Sequence, residues 1–331
     1  MCSTIHAMDE PPPEIPTELQ PGPADVSFDL GLALSSIVSV RTEIPEDAFT
    51  AVSLGTERRG HGVVIGDGGL VLTIGYLIIE AQSIWMLDST GRAIPGDVVG
   101  YDQETGFGLI QALTPAGLRP MPIGRSGDIS VGEKVIFAGH GGRAQALKPE
   151  VVSIREFAGY WEYLLDQAIF TSPPHPFWGG GALISGDGKL LGIGSLFVQD
   201  AAVPTEPQDG NMVVPIDLLE PILGDLMTSG RSKKPKRPWL GMFTAEATSQ
   251  ILVAGMLDGG PAEAAGVEIG DLVLEVNGVL VTGMADMLRN IWALGEAGVE
   301  VPLIVFRDRG IKEIRVPSGC REDYYKAPLL H

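Results

Sequence analysis

Ser172–Phe197 reads SPPHPFWGGGALISGDGKLLGIGSLF, and the rest of the chain is organised around this stretch. Pro173, Pro174 and Pro176 deny the backbone both helix and ladder donors, while Gly179, Gly180 and Gly181 let it fold back through positive φ. Ala182-Leu183-Ile184 and Leu190–Ile193 follow as the two strands of a hairpin, with Ser185–Lys189 as its turn. On these grounds alone the segment is a tight loop that feeds an all-β core.

The string W-G-G-G-A-L-I-S-G-D-G-K-L-L-G-I resembles the segment of HtrA-type, trypsin-like serine proteases that reads G-N-S-G-G-A-L, a turn, then G-x-L-x-G-I. That resemblance places the family's nucleophilic serine at Gly179, which has no side chain with which to attack a carbonyl. Gly69–Ile79 is similar to the T-N-x-H-V-I stretch and puts Tyr76 at the histidine position. Asp102–Ile110 is similar to the D-x-x-T-D-L-A stretch and puts Gly106 at the aspartate position. Oxyanion donors come from a glycine-led turn; here Phe177 replaces the leading glycine and Trp178 follows it. With Tyr76 opposite, the aromatic residues either fill the old cleft or pack the barrel rim. The resemblance therefore implies a degenerate triad, Tyr76, Gly106 and Gly179, and no catalytic residue.

At 331 residues the chain has room for two or three domains. With 44 glycines and 25 prolines, short strands and many turns are expected. A formal net charge of -19 argues against nucleic acid as a partner, because phosphate binding needs a basic face. Cys2 and Cys320 are the only cysteines, which excludes a disulfide framework and a four-cysteine metal site. No stretch has the apolar length of a membrane span. The first twenty residues lack both a basic start and an apolar run, so a cytoplasmic location is expected, or a periplasmic one if a leader has been trimmed.

In chain order the expectation is a disordered N-terminal arm over 1–26, a double β-barrel over 27–229, a solvated basic linker over 230–237, a PDZ domain over 238–318 and a tail over 319–331. Six short strands, starting at Ser35–Val40 and ending at Gly108–Leu113, fit a first antiparallel barrel. Leu118 begins the second, similar to the family's second-barrel entry, and Asp217 is expected to cap a helix over Leu218–Met227. His61 between two glycines reads as structural. His140 and His175 lack a third ligand, so no metal and no cofactor is expected. Ser185 reads as a turn residue.

Trp239-Leu240-Gly241-Met242 resembles the carboxylate-binding loop of an HtrA-type PDZ domain, and Gly259–Val281 resembles its S-P-A-x-x-A-G…G-D…N-G core. The implied fold is mainly β: a trypsin-like double antiparallel barrel, then a small α+β PDZ domain. A peptide would add as a strand beside Gly241 and Met242, with its terminal carboxylate on the loop and its last side chain against Leu240, Met242, Leu288 and Ile291. The expected function is a pseudoprotease scaffold or adaptor that binds a protein or peptide partner through a C-terminus. Two alternatives stand beside it: a weak hydrolase using His140, His175 or Ser185, and an inactive subunit in a mixed oligomer, the family commonly forming trimers.

Overall fold

The computed structural model describes residues 15–115, 117–202, 207–248 and 250–326. Strands β1 (Ile37–Glu43), β2 (Glu57–Gly66), β3 (Leu70–Ile74), β4 (Ser83–Leu87), β5 (Ala93–Tyr101) and β6 (Phe107–Ala112) close into a barrel in the order β1-β2-β3-β6-β5-β4. All neighbours are antiparallel; β2 meets β3 with Val63 opposite Leu72. Alternate positions such as Val38, Val40, Val71, Met86 and Ile110 fill its interior.

The second unit contains β7 (Ile136–Ala138), β8 (Ala146–Leu147), β9 (Glu150–Gly159), β10 (Tyr163–Ser172), β11 (Ala182–Ile184), β12 (Leu190–Val198) and β13 (Gly210–Pro215). These form one seven-stranded sheet, β8-β7-β11-β12-β13-β10-β9. A bridge from Lys134 to Glu150 brings the approach to β7 back against β9, which curls the sheet towards closure. One apolar core runs through both units, and a second, around Phe137, Ile169 and Leu183, lies within the second unit.

The third unit has the sheet β14 (Met242–Ala247), β15 (Gln250–Met256), β16 (Leu272–Val276), β18 (Glu300–Arg307) and β19 (Gly310–Pro317), with β17 (Val279–Leu280) paired to β16. Helix Met284–Trp292 lays Met284, Met287, Leu288 and Ile291 on this sheet, a 3.6-residue spacing.

Several expectations change at this level. The arm is not disordered where it is described: Ile15 is buried, its N–H donates to Ala144 O at 3.0 Å, and Lys148 N–H donates to Leu19 O at 2.9 Å. Residues 1–14 lie outside the described residues. The helix after β13 runs Glu220–Ser229, and Asp217 does not cap it; its carboxylate accepts instead from the N–H groups of Ser126 and Gly127, at 2.9 and 2.8 Å. The basic linker stays largely exposed but is tied down at several points. Arg237 pairs with Glu104 at 2.9 Å and lies over the Trp292 ring, Lys233 pairs with Asp225, and Lys236 pairs with Glu322.

The tail, too, is part of the structure over its described residues, 319–326. Glu80, held at φ 62°, accepts from Phe49 N–H at 3.0 Å, Thr50 N–H at 2.7 Å and the backbone N–H of Lys326 at 2.7 Å. Arg58 lies beneath, donating to Tyr76 O and Ile79 O, and burial pushes its guanidinium down to about 10. Trp239 meets Phe49 and Tyr324 edge-on, and Phe49 and Tyr324 pack at a tilt, beside this network, which joins the first barrel to the third unit. Removing the Glu80 carboxylate strands three backbone donors and a buried cation. Glu80→Ala is expected to lower unfolding free energy by about 3 kcal/mol in urea titration, whereas Val52→Ala, at an exposed site, changes it by less than about 0.5 kcal/mol.

Candidate functional site

The organising loop crosses from the second unit onto the first. His61 N–H donates to Gly179 O at 2.8 Å. At Gly180, φ 77°, a Cβ would lie 1.9 Å from His61 O, so only glycine allows this approach. The same contact brings the three positions singled out by sequence into one cleft. A Cβ on Gly179 would lie 2.8 Å from Tyr76 Oη, and Gly75, beside Tyr76, donates its N–H to Gly106 O at 2.7 Å.

Each position is adapted to the residue it holds. Tyr76 Oη donates to Ser195 O at 2.9 Å, and burial pushes the phenol pKa up, so it is a fixed donor and no base. Gly106 has φ 82°, where a side chain costs about 1–2 kcal/mol. A Cβ there would also lie 3.0 Å from Tyr163 Oη, which donates to Thr105 O. The nearby acid, Asp102, is spent on Thr105 N–H at 2.8 Å.

The turn before Gly179 is closed from within. Phe177 N–H donates to His175 Nδ1 at 3.0 Å, and His175 Nε2 lies 3.2 Å from Gln145 O. That pairing assigns the neutral tautomer with hydrogen on Nε2, and burial holds His175 below its ordinary pKa. The aromatic residues divide between the two expected roles. Tyr76 occupies the cleft, Trp178 packs the rim against Phe197 with centroids 5.8 Å apart, and Phe177 stays 38% exposed.

The alternative nucleophilic and metal-binding groups do not assemble. The Ser185 hydroxyl is bound inside its own turn, to Asp187 and by Lys189 N–H at 3.0 Å. His140 Nε2 lies 3.0 Å from Asp88 O, and His140 N–H donates to His61 Nδ1 at 3.1 Å. Burial, then the neighbouring His175 and His140, push His61 down to about 3. Among the described residues no three His, Cys, Asp or Glu side chains form a metal group.

The third unit gives the clearest departure from the sequence. Its loop is already filled by Glu162, in the tip between β9 and β10. Leu240 N–H faces both carboxylate oxygens at 3.2 Å, Gly241 N–H donates to Oε1 at 2.9 Å and Met242 N–H approaches it at 3.4 Å. Burial pushes the Glu162 carboxyl up to about 7, against the pull of Leu240 N–H, the Arg321 guanidinium and the N–H groups of Met242 and Gly241. Leu288 and Ile291 are buried in the core with Leu240 and Met242, and Ala158 and Leu164 from β9 and β10 pack against that core. Trp239 turns away from the groove into the Phe49 and Tyr324 cluster. Sequence reasoning found the loop and missed its occupant; the only signal was a lone glutamate in an aromatic Tyr160-Trp161 tip.

Comparison with known proteins gives this geometry a lineage. Residues 60–193 match the trypsin-like peptidase domain family and residues 252–292 match the PDZ domain family. The chain is an HtrA-type homologue, a trypsin-like peptidase domain followed by a PDZ domain. A probable periplasmic serine endoprotease DegP-like of Pseudomonas fluorescens is 25% identical over 79% of the chain and 56% of its own length. Protease Do-like 1, chloroplastic, of Arabidopsis thaliana is 28% identical over 85% of the chain and 68% of its own length. The chain thus spans little more than half the length of the DegP-like relative. In fold it is similar to the HtrA-type protease AlgW with decapeptide, at TM-score 0.53 and 19% identity, covering 89% of this chain and 99% of that one.

Two outcomes follow for the HtrA-type cleft. Gly179→Ser forces a side chain onto Tyr76 Oη and is expected to cost about 1–3 kcal/mol in urea unfolding; in a Tyr76→Phe background most of that cost disappears, a coupling of about 1 kcal/mol or more. His61 and His175 stay neutral in the fold but take up protons near pH 6.5 when unfolded. Stability is therefore present above that pH and lost as pH falls towards 4. Replacing the imidazole, His61→Gln, is expected to flatten the stability–pH slope between 6 and 4 by up to about 1.4 kcal/mol per pH unit, read by urea titration at stepped pH.

Proposed function

We propose that this chain is a non-catalytic HtrA-type protein, a pseudoprotease that acts as a peptide-binding scaffold or adaptor. The observation that carries the reading is the cleft itself. Where the family resemblance puts a hydroxyl nucleophile there is the bare Cα of Gly179, faced by the Tyr76 phenol that donates to Ser195 O. A phenol in that state accepts no proton from a nucleophile, and the Phe177 N–H that would meet an oxyanion is engaged by His175 Nδ1. Loss of one triad member costs roughly 10⁴ to 10⁶ in rate, with non-additive further losses.

Binding is assigned to the PDZ domain, whose loop holds a carboxylate through successive backbone N–H groups. Assembly with copies of itself or with an active homologue belongs to the same proposal, as does capture of a peptide C-terminus.

Exposure of the wild-type protein to a fluorophosphonate probe, with casein digestion in parallel, tests the catalytic half. Neither labelling nor cleavage above a buffer blank is expected. The triple variant Tyr76→His/Gly106→Asp/Gly179→Ser is expected to remain silent too, because His175 still holds the Phe177 N–H. Stoichiometric labelling of the wild type, or casein turnover that survives repurification, overturns the reading.

A further inference from the structure

The tip of the β9–β10 hairpin sits on the PDZ domain as a peptide ligand would. Glu162 fills the carboxylate loop, and two residues earlier Tyr160 O accepts from Thr244 N–H at 3.2 Å. Chain direction fits an added strand: from Glu162 back to Tyr160, the contacts advance from Met242 to Thr244 along β14, which is the free edge of its sheet. Tyr160 meets the Phe243 ring edge-on at 6.1 Å. Arg321 fixes the tip by donating to Trp161 O at 2.7 Å, and Arg289 on the helix Met284–Trp292 pairs with Glu156 and Asp166 on the two hairpin strands.

The acid separates this from an ordinary domain contact. Three consecutive backbone donors converge on its carboxylate, and an apolar side chain in its place would leave those N–H groups without acceptors. Glu162 holds φ 61°, the left-handed position that closes the three-residue turn between Gly159 and Tyr163, and from there its side chain reaches the loop.

We propose that Tyr160-Trp161-Glu162 is a resident pseudo-ligand of the PDZ groove, and that the external partner is a chain with a free C-terminal carboxylate and an aromatic residue two positions before it, which binds by displacing this tip. The inference rests on the peptide-binding half of the function above and adds what the peptide must compete with. Displacement frees the tip and the Glu162 carboxylate together while the partner takes the β14 edge, so capture of a partner is read out on the face of the peptidase domain. The side-chain carboxylate stands in for the main-chain carboxylate of the partner, and both cannot be on the loop at once.

The test uses the full chain and a fluorescein-labelled octapeptide ending in Tyr-Trp-Val with a free carboxyl, with its amidated twin as control, read by fluorescence anisotropy. Glu162→Ala is expected to bind the free-carboxyl peptide at least tenfold more tightly than wild type, Glu162→Gln to fall between them, and the amide to bind neither variant. Equal affinity of wild type and both variants overturns the pseudo-ligand while leaving peptide binding in place. Binding by none of the three overturns both, and equal binding of acid and amide removes the carboxylate loop from the account. A measurement without substitution guards against a misfolded variant: saturating wild type with the free-carboxyl peptide must speed amide hydrogen exchange across 159–163. Unchanged or slower exchange there contradicts displacement.

Discussion

A backbone N–H that points out of its own ladder needs an acceptor, and a buried one without a partner costs about 1–3 kcal/mol. Two sets of such donors define what an HtrA-type chain can do: the turn before the nucleophile position and the loop at the start of the PDZ domain. In this protein the Phe177 N–H of the first set and the three N–H groups of the second are answered from within. Phe177 N–H is taken by His175 Nδ1, and the N–H groups of Leu240, Gly241 and Met242 converge on Glu162. The first pairing takes the Phe177 N–H away from the place where an oxyanion would form. The second fastens the PDZ domain to the peptidase domain through the group a ligand would supply.

These two closures are linked by the way the chain is folded. His175 lies in the proline-rich approach between β10 and the glycine loop, while Glu162 lies at the other end of β10. The strand that carries the pseudo-ligand thus runs directly into the loop that crosses to His61. The Glu80 network and the aromatic cluster of Phe49, Trp239 and Tyr324 hold the PDZ domain from the opposite side, so the hairpin tip is not the only attachment. A domain retained in this way can release one contact and keep its place, which suits a competitive groove.

Much of this architecture was legible in the sequence, because glycine and proline placement and alternating apolar runs are local signals. The six strands of the first barrel, the Ala182–Ile184 and Leu190 hairpin and the PDZ core all follow from such patterns. Tyr76, Gly106 and Gly179 were singled out by motif position alone, and the fold brings these three residues near one another through contacts of Gly75 and Tyr76. What the sequence hid depends on long-range partners. Asp217 looked like a helix cap by position, yet Ser126 and Gly127 compete successfully for its carboxylate across ninety residues. The basic run Arg231–Arg237 is largely exposed, as its charge suggested, yet its pairing with Glu104 and Glu322 was not legible. Glu162 carries no motif at all, since its meaning lies in a loop seventy-eight residues away.

The central claim is that the Phe177 N–H and the three donors of the PDZ loop are satisfied by the chain itself. Amide hydrogen exchange of the free wild-type protein, resolved at single residues by NMR, tests it most directly. The account predicts slow exchange at Phe177 and at Leu240, Gly241 and Met242, comparable to amides inside β12 and β15. Rapid exchange at Phe177 together with 240–242, as for an open oxyanion turn and an empty carboxylate loop, would contradict it.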